Sequence, residues 1–434
     1  MQENNKISGF SKLNREEKIR IASQYATHPV EFVNLVLSNM HAGLVNNTGE
    51  HFTENAISEF SLPYSVAPNF LIDGKVYMIP MVTEESSVVA AASSAAKFWF
   101  DHGGFHTRVS NMVKPGHIHF LWYGATDILN SFFNDIVPGL KDSVEKMIQS
   151  MEARGGGIQS IRLTDETAKI EHYYRIEVLF NTVDAMGANF INSCLETMAE
   201  FMISQAKIRS MSHHLDIIMS ILSNYTPECI VKCSVSCHIH DLSVNYPEEF
   251  ARRFAMAVNI AKNDVNRAVT HNKGIYNGID AVILATGNDY RATEAAGHSW
   301  ASRKGKYEGL SDIEISGNEF RFSIAIPLAV GVTGGITNLH PMTRASLQLL
   351  GNPDARTLMS VAASAGMANH FSAIKALITH GIQKGHMKLH LVNILTQLNA
   401  DEIEKQSAMN HFAQQKVTFQ GVREYLSKLR SDLP

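Results

Sequence analysis

Between residues 113 and 220 the hydrophobic pattern changes period in a fixed order, and that order restricts the fold more than any other feature of the chain. HIHFLWYG (117–124) alternates like a strand, 138–153 repeats like an amphipathic helix, and Gly155-Gly156-Gly157 ends it. A strand over 158–164, a polar turn at Thr164-Asp165-Glu166 and a strand over about 170–183 follow. A long helix then opens near Gly187, with Phe190, Cys194, Leu195, Met198 and Met202 on one stripe. A period of two marks strands and 3.6 marks helices, so the order is strand–helix–strand–strand–helix, a split βαβ unit.

Such a unit resembles the ferredoxin-like type, and we read 113–220 as a domain of that kind inserted into a larger, mostly helical one formed by 1–112 and 221–378. Residues 379–434 read as a helical C-terminal flap broken at Gly381 and Gly385, which completes an α+β chain. In the larger part, 7–40 looks helical and 69–83 reads as a hairpin turning at Asp73-Gly74. An Ala-rich helix opens with Glu84-Glu85, 245–268 and 277–304 look helical, and strands fall within 311–330.

With 45% hydrophobic and 18% charged residues in 434, a large core can be buried, which excludes a disordered or fibrous chain. A net charge of −4 with no basic block argues against a nucleic-acid partner. The N-terminus is polar, and the charge-free stretch 322–343 contains Pro327 and Pro341, so it reads as buried strand and turn rather than a membrane span. A soluble cytoplasmic protein is expected.

Three of the four cysteines stand close together, Cys229, Cys233 and Cys237, with His238 and His240 after them. The spacing fits no common zinc or iron–sulfur pattern. Alternation accounts for it: Cys229, Val231, Cys233, Val235 and Cys237 share one face of a strand, so no metal is expected.

No G-x-G-x-x-G after a strand, Walker A loop, G-x-S-x-G or H-E-x-x-H occurs. Four other segments stand out. THNKGIYNGIDAVILATGND (270–289) places Lys273 and Asp289 at the ends of an apolar helix; DAMGAN (184–189) opens the long helix; Glu84-Glu85 begins the Ala-rich one; and GIQKGHMKLH (381–390) carries His386 after a glycine. Each has a plain structural explanation: a solvated lysine, a helix cap, a complement to a helix dipole, a surface histidine and a close-packing glycine.

Together they resemble the hydroxymethylglutaryl-coenzyme A reductase family, in its soluble bacterial class. ENAIS (54–58), LPYSVAPNF (62–70), EESSVVAAAS (84–93), GGF (103–105), RGGG (154–157), DAMGAN, THNKGI…NGI…ATGND and GIQKGHM run in the family's order along nearly the whole chain. His386 is followed by Met387, Lys388 and Leu389, where eukaryotic members carry a serine, and Asn369-His370 replaces the usual Gln-Asn.

The resemblance implies reduction of hydroxymethylglutaryl-CoA to mevalonate and free coenzyme A by two nicotinamide hydrides. It assigns Lys273 to the thioester oxygen, His386 to protonating the departing thiolate, and Glu85 to protonating the aldehyde oxygen if burial raises its pKa. Asp289 would bridge Lys273 and Glu85. Arg267 would pair with the substrate carboxylate, with Ser87 and Asn277 also touching it. The nucleotide would lie at Asp184, Met186, Gly187 and Asn189, its pyrophosphate at a helix N-terminus. Ile148 stands where NADH-preferring members carry an aspartate, and Lys146 is near, so NADPH is favoured over NADH. The family further implies a homodimer, or an oligomer built of dimers, with shared sites, and His386 on a closing flap. The same chemistry could run oxidatively on mevalonate. The rival readings are a Schiff-base lyase using Lys273 and a non-catalytic helical interaction protein.

Overall fold

The computed structural model describes residues 10–40, 53–243, 245–337, 339–379, 391–392, 394–412, 415 and 417–431. Residues 1–63 and 64–434 form two compact units. In the first, helices α1 (Arg15–Ser23) and α2 (Pro29–Met40) follow a short 3-10 turn. Asn14 accepts from the Glu17 amide while the Glu17 carboxylate accepts from the Asn14 amide, a capping box that fixes where α1 starts. One helical stretch was expected over 7–40; the break at 24–28 arises because Pro29 has no N–H to continue a helix and is suited to open one.

The second unit begins with a hairpin, β1 (Tyr64–Ile72) and β2 (Lys75–Val82). Asp73 (φ 46°) and Gly74 (φ 81°) are both left-handed, the type I′ turn that matches strand twist. Helix α3 (Val88–Phe100) and strand β3 (His106–Val109) follow.

Next come β4 (Val113–Trp122), α4 (Thr126–Ser143), α5 (Glu145–Glu152), β5 (Gly157–Asp165), β6 (Tyr173–Asn181), α6 (Ala188–Ile208) and β7 (Leu215–Leu222). The four strands form one antiparallel sheet in the order β5-β6-β4-β7, which is the ferredoxin-like arrangement. Ile118, Phe120 and Trp122 of β4 pack on Leu129, Phe132, Ile136 and Leu140 of α4 and on Ile191, Leu195 and Met198 of α6. The helical repeat therefore starts at Thr126, not 138, and runs through Pro138, because the buried stripe is unbroken on both sides of it. Strand β7 was not anticipated, since LDIIMSIL is apolar at successive positions and shows no clean alternation.

A second sheet, in the order β3-β8-β10-β9, adds β8 (Ile230–His238), β9 (Ser311–Ser316) and β10 (Glu319–Pro327). On β8 Val231, Cys233 and Val235 are buried while Lys232 is exposed. Burial pushes the Cys233 thiol up to about 12, so it packs as a neutral apolar group.

Helices α7 (Pro247–Asn263), α8 (Val265–Ala285), α9 (Tyr290–Ala301), α10 (Pro341–Leu349) and α11 (Ala355–Ile378) complete this core. Trp99, Phe254, Phe320, Phe322 and Phe371 lie at its centre. Helix α11 is buried nearly all round and meets α8 at glycines: a Cβ on Gly278 would lie 2.4 Å from the Ala365 carbonyl oxygen. Two more helices, Glu402–His411 and Phe419–Ser431, share a small core of Leu395, Ala408, Val422 and Leu426. Among the described residues no helix is long and apolar enough to cross a membrane.

Candidate active site

Lys273 and Glu85 are 188 positions apart in sequence, yet the Lys273 Nζ donates to the Glu85 carboxylate at 2.6 Å. Lys273 was expected at the start of a helix. It lies inside α8 instead, which runs from Val265 to Ala285, and Gly274 and Gly278 let α11 approach it. Its backbone is therefore rigid while its side chain remains 58% exposed. Glu85 sits in the turn before α3, which begins at Val88 rather than at the carboxylates, so Glu84 and Glu85 are not in its first turn. Ser87, the N-cap, is left-handed (φ 72°), and the Glu85 amide donates to the Thr83 hydroxyl. A left-handed serine beside a functional carboxylate is strain of the kind that gathers at active sites.

Asn277 follows Lys273 by four residues, one helical turn, and shares its face of α8. Arg267 does not: six residues place it about 120° away around the helix. Its charge also bears on the buried His271–His370 pair, whose Nε2 atoms lie 2.9 Å apart. Burial first, then Arg267, pulls His271 down to about 3, so it stays neutral. His271 and Asn272 serve the fold: His271 meets the Ser311 hydroxyl at 2.6 Å, and Asn272 bonds the Glu308 carbonyl and the Leu310 amide.

Asp289 does not bridge Lys273 and Glu85 here. It caps α9 through the Arg291 and Ala292 amides and pairs with the Arg291 guanidinium at 3.2 and 3.1 Å. Those bonds, opposed by partial burial, hold its pKa below the usual carboxylate value. The burial expected of Glu85 is not found either, since its side chain is 42% exposed. His386 lies outside the described residues.

The 184–189 segment is tied down on two sides. Asp184 accepts from the Ala355 amide through its carboxylate and from the Val332 amide through its carbonyl. Val183, a β-branched residue, is left-handed (φ 49°), with its amide on the Asn181 side chain. Gly187 (φ 82°) caps α6, and a Cβ there would lie 2.7 Å from Thr182 Cγ2, so only glycine fits. No side chain caps the N-terminus of α6 and no acidic residue occupies its first turn, which suits an anionic pyrophosphate. Asn189 is exposed, while Met186 and Gly187 are half-buried. Ile148 is 1% exposed in the module core and so cannot face a ribose; exposed Lys146 is on the outer side of α5.

An ammonium in contact with a carboxylate on one side and open on the other can stabilise charge on an oxygen brought to it. A model of the hydroxymethylglutaryl-coenzyme A reductase family matches residues 15–391. The chain belongs to that family. It is similar to the 3-hydroxy-3-methylglutaryl-coenzyme A reductase of Archaeoglobus fulgidus, with 36% identity over 98% of this chain and 95% of that one. A probable 3-hydroxy-3-methylglutaryl-coenzyme A reductase of Borreliella burgdorferi is 32% identical over 89% of each chain. The class II reductase of Streptococcus pneumoniae, solved bound to NADPH in open conformations, superposes with a TM-score of 0.72 at 32% identity, over 96% of this chain and all of that one. This member of the hydroxymethylglutaryl-coenzyme A reductase family is an oxidoreductase. The lyase reading is not favoured: a Schiff base needs a free amine, and Lys273 is engaged with Glu85.

Proposed function

We propose that Lys273 and Glu85 form the reacting centre for the two-step reduction of hydroxymethylglutaryl-CoA to mevalonate and coenzyme A. The 2.6 Å contact between them carries this reading. The bound nicotinamide nucleotide supplies the hydride for each step. Lys273 stabilises the oxyanion that develops on the thioester carbonyl, His386 gives a proton to the departing thiolate, and Glu85 gives one to the aldehyde oxygen in the second reduction. Two hydrides and two protons are consumed per thioester, releasing one coenzyme A thiol. Asp289 acts on Lys273 through its charge, and its present pair with Arg291 is no obstacle. Arg291 is 76% exposed, and such pairs are worth about 0–1 kcal/mol.

Asn277, one helical turn from Lys273, and Ser87, two residues from Glu85, would touch the substrate, and Arg267, on another side of α8, would have to be reached by its carboxylate. The nucleotide lies against Asp184, Met186, Gly187 and Asn189 on the 113–220 domain, inserted into the larger domain of 1–112 and 221–378. NADPH is preferred with Lys146 nearby. Residues 379–434 form a flap that shields the centre and gives Glu85 the burial it lacks. The protein works in the cytoplasm as a homodimer, or an oligomer built of dimers, with shared sites. Purified protein given hydroxymethylglutaryl-CoA and reduced nucleotide should oxidise two nucleotides per coenzyme A released; one per coenzyme A, or none, defeats the proposal.

A further inference from the structure

Lys114 is the only buried lysine or arginine among the described residues, 3% exposed. It stands second in β4, and its ammonium donates to the Thr182 hydroxyl at 2.6 Å, the Ala185 carbonyl at 2.7 Å and the Met186 carbonyl at 2.9 Å. An ammonium has three N–H bonds, so every donor is used. The two carbonyls belong to the 184–189 segment, directly ahead of the uncapped N-terminus of α6.

The other side of the segment is fixed by different residues. Ala185 forms a bridge with Thr333, Val332 donates to the Asp184 carbonyl, and Gly331 leaves room for the approach: a Cβ there would lie 2.3 Å from the Met186 amide nitrogen. The left-handed Val183 at its entrance disfavours this path for a β-branched residue, so something must hold the loop in place. A surface lysine could not, because water would compete for each carbonyl.

We infer that Lys114 is a positioning residue for the nicotinamide nucleotide: its buried ammonium gathers the Ala185 and Met186 carbonyls and so sets the 184–187 loop and the first turn of α6 to receive the pyrophosphate. This rests on the proposed placement of the nucleotide at that loop. Burial, opposed by Cys229, pulls the Lys114 pKa down to about 8. The facing Cys229 thiol is pushed up to about 11 by burial, and Glu228 and Arg356 act on that thiol, so Lys114 is the group that titrates first. The clasp therefore weakens as pH rises through about 8.

The test measures binding of NADPH and NADH to the full chain without thioester, by nucleotide fluorescence, in the wild type, Lys114→Met and Lys114→Arg. Lys114→Met should weaken nucleotide binding about ten-fold, equivalent to about 1.4 kcal/mol, with Lys114→Arg recovering part of it. The KM for thioester should stay within about two-fold. Wild-type affinity should fall above about pH 8, and that of Lys114→Met should not. Unchanged binding in Lys114→Met, or equal losses for nucleotide and thioester, overturns the inference. If Lys114→Met does not fold, a wild-type affinity that is flat across that pH range overturns it. A wild type that binds neither nucleotide defeats the proposed placement itself, a result distinguishable from failure of the Lys114 role.

Discussion

Replacing Lys273 with methionine keeps much of the side-chain length and removes the charge. The structure fixes what this should cost in stability. Lys273 is 58% exposed and Glu85 42% exposed, so their pair resembles a surface ion pair, worth about 0–1 kcal/mol. In chains of 150–250 residues 1 kcal/mol corresponds to about 2–4 °C of melting temperature, and a longer unit shifts less. Lys273→Met should therefore melt within about 3 °C of the wild type. Its effect on rate should be far larger, because the ammonium acts where charge develops in the transition state. Loss of one such donor costs about 10²–10³ in kcat, or about 2.7–4 kcal/mol. Circular-dichroism melting and nucleotide oxidation measured on the same preparation separate the two effects. A kcat within about ten-fold of wild type, or a rate loss matched by a large fall in melting temperature, would refute the reasoning.

Gly278→Ala places a Cβ 2.4 Å from the Ala365 carbonyl oxygen and 2.9 Å from the Gly366 Cα, forcing α8 and α11 apart. It should destabilise by about 1–3 kcal/mol in denaturant unfolding; a neutral substitution contradicts the close crossing. Asp280 has its carboxyl held well above the usual range, first by burial and then by the Glu294 charge. The native state therefore keeps a proton that the unfolded chain has lost, and stability from this group falls as pH rises through that window. Asp280→Asn should accordingly be more stable than wild type near pH 8, with the difference shrinking toward pH 4; a pH-independent difference contradicts this.

The parts legible in sequence were those whose cause is local. Asp73-Gly74 announces its hairpin because few residues tolerate two left-handed positions in succession. The cysteine strand shows itself by alternation along 229–237. What the sequence concealed depends on partners far away along the chain. The expected helix 277–304 begins after Lys273, whereas α8 starts at Val265; Gly274 and Gly278 within it gain their meaning only when α11 is laid against them. Helix α11 is buried on nearly every side, so its composition carries no 3.6-residue contrast.

The site divides the same way. Family motifs single out both Lys273 and Glu85, but only the fold brings the ammonium onto the carboxylate. Part of the polar crowding of 270–289 is structural, with His271 and Asn272 turned inward to the 308–311 segment, and Asp289 also caps α9. Lys114 carries no motif at all; what would have drawn notice is a lysine in a strand reading otherwise as half-buried, at Val113–Trp122.

The most direct test of the central claim is a crystal structure of the protein with hydroxymethylglutaryl-CoA and oxidised nucleotide. The account predicts the Lys273 Nζ at about 2.7–3.1 Å from the thioester carbonyl oxygen, with Glu85 still in contact with it. An amine turned to solvent, with another group polarising that oxygen, would contradict it.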